Sequence, residues 1–145
     1  MFFRRHMINP ELMKLLESID ILDIIRDSVR YQLQKINNVA KTSEGRDWYQ
    51  ELPQIIKEKF DNYKTDYEHL SFVLKSEQEK IRLEMNKGYY YWRLIRSACT
   101  TYRNDLMDYD QQLLQEFNLK ETEAISDNEV LNKCIGVLEQ HVVEK

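Results

Sequence analysis

Glycine and proline are scarce in this chain of 145 residues, which contains three glycines and two prolines. Sheets and tight turns usually consume these two residues, so their scarcity favours long helices. No window shows sustained alternation of apolar and polar residues, and no Asn-Gly or Asp-Gly dipeptide marks a hairpin. The sequence therefore predicts an all-α protein, and its 42% hydrophobic residues are enough for the core of a single domain over residues 1–145.

Cysteine is rare as well, since only Cys99 and Cys134 are present. Two cysteines are too few for a disulfide framework, and neither has a neighbouring Cys or His at metal-binding spacing. This usage fits a reducing intracellular compartment. No apolar run is long enough for a signal peptide or for a membrane span of roughly 18 residues, so we expect a protein that is neither secreted nor inserted in a membrane.

Residue patterns that support catalysis are also missing. The three histidines, at positions 6, 69 and 141, lie far apart and belong to no zinc motif. The sequence Asp66-x-x-His69 lacks the second such pair and the further carboxylates that a di-iron bundle needs. Both cysteines fall on apolar helix faces, where a small buried thiol is common. We therefore expect no enzyme activity, no cofactor and no metal site.

Apolar residues recur at steps of three or four through most of the chain, which is the pattern of amphipathic helices. The predicted helices cover roughly 10–38, 53–86, 89–117 and 127–143. We expect an elongated bundle of four to five helices in which 53–86 and 89–117 are the two long central ones. About 30 residues of helix span about 45 Å, which favours an elongated shape.

Several boundaries can be assigned from capping chemistry. Asn9-Pro10 predicts the first helix start, since Asn caps free amides and Pro is tolerated at the first helical position. Ser18 or Asp20 is a place where that helix could divide into two pieces. The polar segment 41–47 contains the first glycine of the chain and is predicted to be a loop.

Two further boundaries lie in the second half of the chain. Asn86-Lys87-Gly88 predicts a kink or a short link between helices, because an interior glycine costs about 1 kcal/mol in a helix. A second loop is expected at 118–125. The sequence Ser126-x-x-Glu129 that follows it is a capping box and predicts the start of the last helix.

Four aromatic residues in a row, Tyr89-Tyr90-Tyr91-Trp92, precede Arg93-Leu94-Ile95-Arg96. On a helix, successive side chains are rotated by about 100°, so four neighbours cannot all face one core. The simplest interpretation is that Tyr91 and one neighbour enter the core while the other rings lie flat on the surface. Aromatic rings bury roughly 150–250 Å² each, and Tyr, Trp and Arg are enriched at interfaces, so we favour a protein partner. The predicted partner-binding residues are Tyr89, Tyr90, Trp92, Arg93, Arg96 and Arg103.

The same region also has the composition of a nucleic-acid contact. Residues 86–104 contain Lys87, three arginines and five aromatic residues but no acidic residue, a combination that suits phosphate contact with base stacking. The arginines are equally suited to salt bridges with a partner subunit or with residues 105–145, which hold ten acidic residues and three lysines. Four basic residues make a small footprint and the formal net charge is −4, so DNA contact is the secondary expectation.

The sequence resembles the helical domain of a GINS subunit over about a third of its length. GINS is the four-protein assembly that accompanies the replicative helicase in eukaryotes and archaea. The resemblance lies in Glu79-Lys80-Ile81-Arg82 and in Tyr89-x-Tyr91-x-Arg93-Leu94-x-Arg96, and residues 126–142 resemble the short helix that follows a polar loop in that domain. It implies a subunit that packs beside three related subunits through long helices and has no catalysis of its own. Family members usually also carry a small β domain, and no segment here has the pattern of one.

Taken together, these patterns predict a non-catalytic helical subunit of an intracellular multiprotein complex, of GINS-like replication type. We expect a hetero-oligomer with other protein subunits, and a homo-oligomer is the alternative. The alternatives are a nucleic-acid-binding helical protein, or a general helical adaptor or oligomerisation module unrelated to replication. The expected localisation is nuclear if the resemblance holds and cytoplasmic otherwise.

Overall fold

Helices are the regular structure of this protein. The computed structural model describes residues 8–107, 115 and 121–142, with side chains described outside 121–125. Every regular element in this part of the chain is a helix, which confirms the all-α prediction. The α-helices are α1 (Pro10–Leu15), α2 (Ile19–Asn38), α3 (Ser43–Gln50), α4 (Gln54–Leu74), α5 (Gln78–Met85), α6 (Tyr90–Met107) and α7 (Glu121–His141), and a 3₁₀ turn covers Val39–Lys41.

The first helix begins where capping chemistry predicts, and the second begins at one of the two positions expected for a break. The Asn9 side chain accepts a hydrogen bond from the amide of Glu11 at 2.8 Å, and Pro10 occupies the first position of α1. The Ser18 hydroxyl accepts from the amide of Ile21 at 3.4 Å and starts α2. The predicted helix 10–38 is therefore divided at Ser18, one of the two positions expected for a break.

The predicted helix 53–86 is also divided, because α4 ends at Leu74 and α5 begins only at Gln78. The Nε of Arg26 in α2 donates to the carbonyl of Leu74 at 2.6 Å. This contact satisfies one of the carbonyls that every helix end leaves without an internal partner. The prediction of one continuous helix was wrong. The apolar residues of α4 and α5 keep the same helical spacing across residues 75–77, so the sequence pattern does not show the break.

The segment 41–47 was predicted to be a loop, but α3 begins within it. The Thr42 hydroxyl caps α3 by accepting from the amide of Gly45 at 3.0 Å. A Cβ added at Gly45 would lie 2.3 Å from the carbonyl oxygen of Val39. The glycine therefore permits a close approach of two backbones and does not mark a turn.

The last helix begins earlier than predicted. α7 starts at Glu121, so the capping-box residues Ser126 and Glu129 lie inside the helix on its exposed side. The first five residues of α7 belong to the predicted loop 118–125, which was wrong for that part. The end of the predicted helix 89–117 and the start of the predicted loop 118–125 fall within residues 108–120. These residues lie outside the described part of the chain, except for residue 115.

The described residues thus contain seven α-helices, more than the four to five expected, because two predicted helices are each divided and α3 is additional. α2 lies at the centre of the packing and contacts α4, α6 and α7, while α6 also packs along α7. The prediction gave the central place to the helices 53–86 and 89–117, but the central helix is α2. α4, which belongs to the predicted helix 53–86, packs mainly on α2 and α5. The core is one cluster of apolar residues that includes Leu12, Ile25, Tyr67, Leu70, Ile81, Trp92, Ile95, Tyr102, Leu131 and Leu138.

Replacing Gly45 by Ala should destabilise the protein by about 1–2 kcal/mol, because the new methyl group has to displace the Val39 carbonyl. The matched control is Gly136→Ala in the interior of α7, where an added Cβ meets nothing within 4 Å. That substitution should stabilise the helix by up to about 1 kcal/mol. Urea unfolding followed by circular dichroism measures both effects, and equal shifts in the same direction would contradict the close approach at Gly45.

Candidate partner-binding groove

An open groove runs between α3 and α4 and extends to Tyr90 at the start of α6. Its volume is about 520 Å³. We call it the α3–α4 groove. Most of its lining residues are apolar or aromatic: Trp48, Leu52, Ile56, Phe60, Tyr63 and Tyr90. Three lining residues are polar or charged: Lys59, Asn62 and Asp66.

Large apolar side chains of the α3–α4 groove remain accessible to solvent. The exposed fraction is 49% for Trp48, 40% for Ile56, 37% for Tyr63 and 42% for Tyr90, and Ile55 beside the groove is 62% exposed. Contiguous exposed apolar surface of this kind typically marks an interaction site. The groove is therefore the strongest feature of the described surface for contact with another molecule.

The groove exists because the apolar stripe of α4 is longer than the core that covers it. Tyr67, Leu70 and Leu74 in the second half of α4 are buried against the core. In the first half, Ile56 and Tyr63 keep the same periodicity, but both side chains remain exposed, and the Tyr63 ring packs on that of Tyr67 at 5.2 Å. Their spacing is that of core residues, so the sequence pattern alone does not indicate that they line a groove.

An aromatic cluster holds α3 against α4. The ring of Phe60 lies 5.7 Å from that of Trp48, in an edge-to-face arrangement, and 5.6 Å from that of Tyr49. The Tyr49 hydroxyl donates to the carboxylate of Asp61 at 2.9 Å, and this hydrogen bond raises the pKa of Tyr49. No residue of α3 is buried, so these contacts at the surface carry the attachment of the helix.

Tyr90 joins α6 to the groove. Its hydroxyl donates a hydrogen bond to the carboxylate of Asp66 in α4, and the Arg93 guanidinium lies 5.8 Å from the centre of its ring. Desolvation, together with the bond to Asp66, raises the pKa of the Tyr90 phenol far above its ordinary value. The phenol is therefore a neutral donor with a fixed ring position, and the exposed ring face is available for contact. Of the predicted partner-binding residues, Tyr90 lines the groove and Arg93 lies beside it.

Trp92 was predicted to bind a partner, and the structure shows that this is wrong. Its side chain is 0% exposed and belongs to the core. The indole Nε1 donates to the carbonyl of Met85 at 2.8 Å, which satisfies a backbone group at the end of α5. A buried indole with its N–H paired has the environment of a core residue, so Trp92 is unable to contact a partner in this fold.

The other predicted residues make contacts within the protein. Tyr89 is half-buried, and its hydroxyl accepts from the amide of Asn9 at 3.2 Å. Arg103 is also half-buried and donates to the side-chain oxygen of Asn132 in α7 at 3.3 Å. Arg96 lies seven residues before Arg103 and therefore on nearly the same face of α6. None of these three residues lines the α3–α4 groove.

The aromatic residues expected to stack on nucleic-acid bases are divided among different environments. Trp92 and Tyr102 are fully buried, and Tyr89 and Tyr91 are half-buried. Base stacking needs an accessible ring face, and Tyr90 is the one ring among these five that is classed as exposed. The interleaving of arginine and aromatic residues in the sequence therefore does not form a continuous stacking surface.

Metal-binding clusters and membrane-spanning helices are both absent from the described part of the chain. Among the described residues, no group of three or more His, Cys, Asp or Glu side chains is placed to hold a metal ion. None of the described helices combines the length and the hydropathy of a membrane-spanning segment.

Replacing Trp92 by Ala should lower the free energy of unfolding by about 3–5 kcal/mol, because a large core side chain and its hydrogen bond are lost. Tyr90→Ala should cost less, about 1–2 kcal/mol, since that ring is partly exposed and loses mainly its bond to Asp66. Chemical denaturation of the two variants beside the unchanged chain measures the difference. Equal losses at the two positions would contradict the division of the aromatic run between core and surface.

In comparisons with known proteins, no protein-family model, no curated protein and no solved structure matches this chain. The features that bear on function are therefore those of the chain itself, above all the exposed aromatic and aliphatic side chains of the α3–α4 groove.

Proposed function

We propose that this chain is a non-catalytic helical subunit of an intracellular multiprotein complex and that it binds its partner through the α3–α4 groove. The observation that supports this most strongly is the exposure of Trp48, Ile56, Tyr63 and Tyr90 along one continuous depression. Tyr and Trp are the residues most enriched among those that dominate binding energy at interfaces. A surface of this composition fits a protein partner better than a small polar substrate.

The occupant that we propose is an amphipathic helix of another protein. From Ile56 to Asp66, α4 lines the groove over eleven residues, which span about 15 Å or three helical turns. A partner helix of that length presents apolar side chains at positions i, i+3 or i+4, and i+7 to such a groove. Lys59 and Asp66 lie along the same surface and supply charged groups of opposite sign for the polar edge of the contact.

The specific form of the proposal is a GINS-like role in DNA replication, as the resemblance of the sequence implies. In support, all regular elements of the described residues are helices, and the segment of the resemblance around Tyr90 and Arg93 adjoins the groove. An elongated shape and a nuclear location belong to this form of the proposal. Without the GINS relationship, the same groove defines a general helical adaptor or oligomerisation module in the cytoplasm.

Direct DNA binding is the weaker proposal, because the buried Trp92 and Tyr102 cannot stack on bases. We expect fluorescence anisotropy with a labelled duplex and with a labelled single strand to show no salt-sensitive binding at micromolar protein concentrations. Phosphate contacts would make the affinity fall steeply as salt rises. Micromolar or tighter binding that weakens in this way would overturn the preference for a protein partner.

Replacing Ile56 by Asp should weaken the complex at least about 30-fold, because a charge would be placed in the desolvated centre of the contact. Leu83→Asp is the matched control, since Leu83 is 64% exposed on α5 and lies outside the groove. The tagged chain and both variants can be cross-linked in the source cells and the cross-linked residues identified by mass spectrometry. We expect cross-links from residues beside the groove to a helical segment of one protein in the unchanged chain and in Leu83→Asp, and their loss in Ile56→Asp.

The same experiment separates the alternatives. Co-purification of three further helical subunits in fixed stoichiometry would support the GINS-like form. A concentration-dependent dimer that Ile56→Asp dissociates would show that the occupant is a second copy of this chain. Equal cross-linking of the unchanged chain, Ile56→Asp and Leu83→Asp would contradict the proposed function. A monomer without cross-links at the groove would contradict it as well.

A further inference from the structure

The two cysteines of this chain lie against each other in the folded protein. Cys99 is on α6 and Cys134 is on α7, and the two thiols lie near enough for Cys99 to raise the pKa of Cys134. Both side chains are completely buried, and both are free thiols. These are the two cysteines of the 145 residues, and the fold brings them together although they are 35 residues apart in sequence.

The packing of α6 along α7 sets this contact. These two helices are in direct contact with each other, and Cys99 and Cys134 lie in the shared core beside Ala98 and Ile135. A disulfide needs two Cα atoms within about 4.4–6.8 Å and side chains that point towards each other. Small side chains such as Ala and Cys allow two helices to approach closely at this point.

The register of α6 and α7 places the two cysteines at the same level. Asn9 contacts both Tyr89 beside the start of α6 and His141 at the end of α7, so the two helices run antiparallel. Arg103 donates to Asn132, and from that contact Cys99 and Cys134 each lie about one turn or less towards Asn9.

We propose that Cys99 and Cys134 form a redox modification site at which a peroxide converts the two thiols into a disulfide joining α6 to α7. In the first step, one thiolate attacks a peroxide oxygen, the O–O bond breaks, and a sulfenic acid and water result. In the second step, the other thiol attacks the sulfenic sulfur, the S–S bond forms, the S–O bond breaks and a second water leaves. The two thiols together lose two electrons and two protons, and hydrogen peroxide is reduced to two waters.

The surroundings of the pair keep it reduced in the closed protein. The hydrogen bond to Cys99, followed by burial, raises the pKa of the Cys134 thiol, so the reactive thiolate is scarce. Neither thiol is accessible to an oxidant while α7 is packed on α6. Oxidation therefore proceeds when α7 opens locally, and the new bond holds the two helices together once they close again.

This site is independent of the proposed partner contact. Neither cysteine lines the α3–α4 groove, which is formed by α3, α4 and Tyr90. Intracellular disulfides in most organisms are transient and serve redox sensing, and a pair that is reduced at rest agrees with that pattern.

The test uses the purified full chain incubated with hydrogen peroxide near its unfolding temperature and then cooled. We expect an intramolecular disulfide between Cys99 and Cys134, seen by non-reducing peptide mapping as a linked peptide pair. Closing a loop of about 36 residues should raise the Tm by about 10 °C, because the unfolded chain loses conformational freedom. Dithiothreitol should reverse the rise, which separates it from methionine oxidation.

Cys99→Ala and Cys134→Ala are the matched controls, and peroxide should leave the Tm of each without such an increase. If either variant does not fold, the dithiothreitol reversal in the unchanged chain serves as the control. A disulfide between two molecules, sulfinic acid in place of a disulfide, or an intramolecular disulfide that leaves the Tm unchanged or lowers it would overturn the proposal.

Discussion

The apolar face of α2 has to be covered on several sides, and the rest of the structure follows from that requirement. Ile24 and Ile25 are adjacent and both buried, although neighbouring side chains on a helix point about 100° apart. One partner helix cannot cover so wide an arc, so α4, α6 and α7 all pack on α2. The links at 75–77 and 86–89 lie where the chain turns to bring a new helix back onto this core.

The aromatic run shows how this packing separates neighbouring side chains. Trp92 enters the core below α5, Tyr90 reaches Asp66 on α4, and Tyr89 contacts the backbone at Asn9. The rotation of about 100° per residue predicted that the rings would meet different surroundings. It could not identify which ring is buried, because that depends on the direction in which the link at 86–89 points α6.

Local chemistry predicted the helix start at Asn9 and gave Ser18 as one of two possible breaks, because a cap needs only the residues beside it. The break at 75–77 could not be predicted, since α4 and α5 pack on the same core and their stripes stay in phase. The α3–α4 groove was missed for a related reason. Ile56 has the spacing of a core residue, and whether it is covered depends on the packing of the other helices, which leaves it exposed.

α3 forms one side of the α3–α4 groove, and none of its residues is buried. Its ties to α4 are ring contacts, the Lys57 ammonium near the Tyr49 ring and one tyrosine–carboxylate pair, all at the surface. The opposite side is anchored more deeply, because α4 continues into the core. We therefore expect α4 and Tyr90 to contribute more than α3 to shape selectivity for a partner.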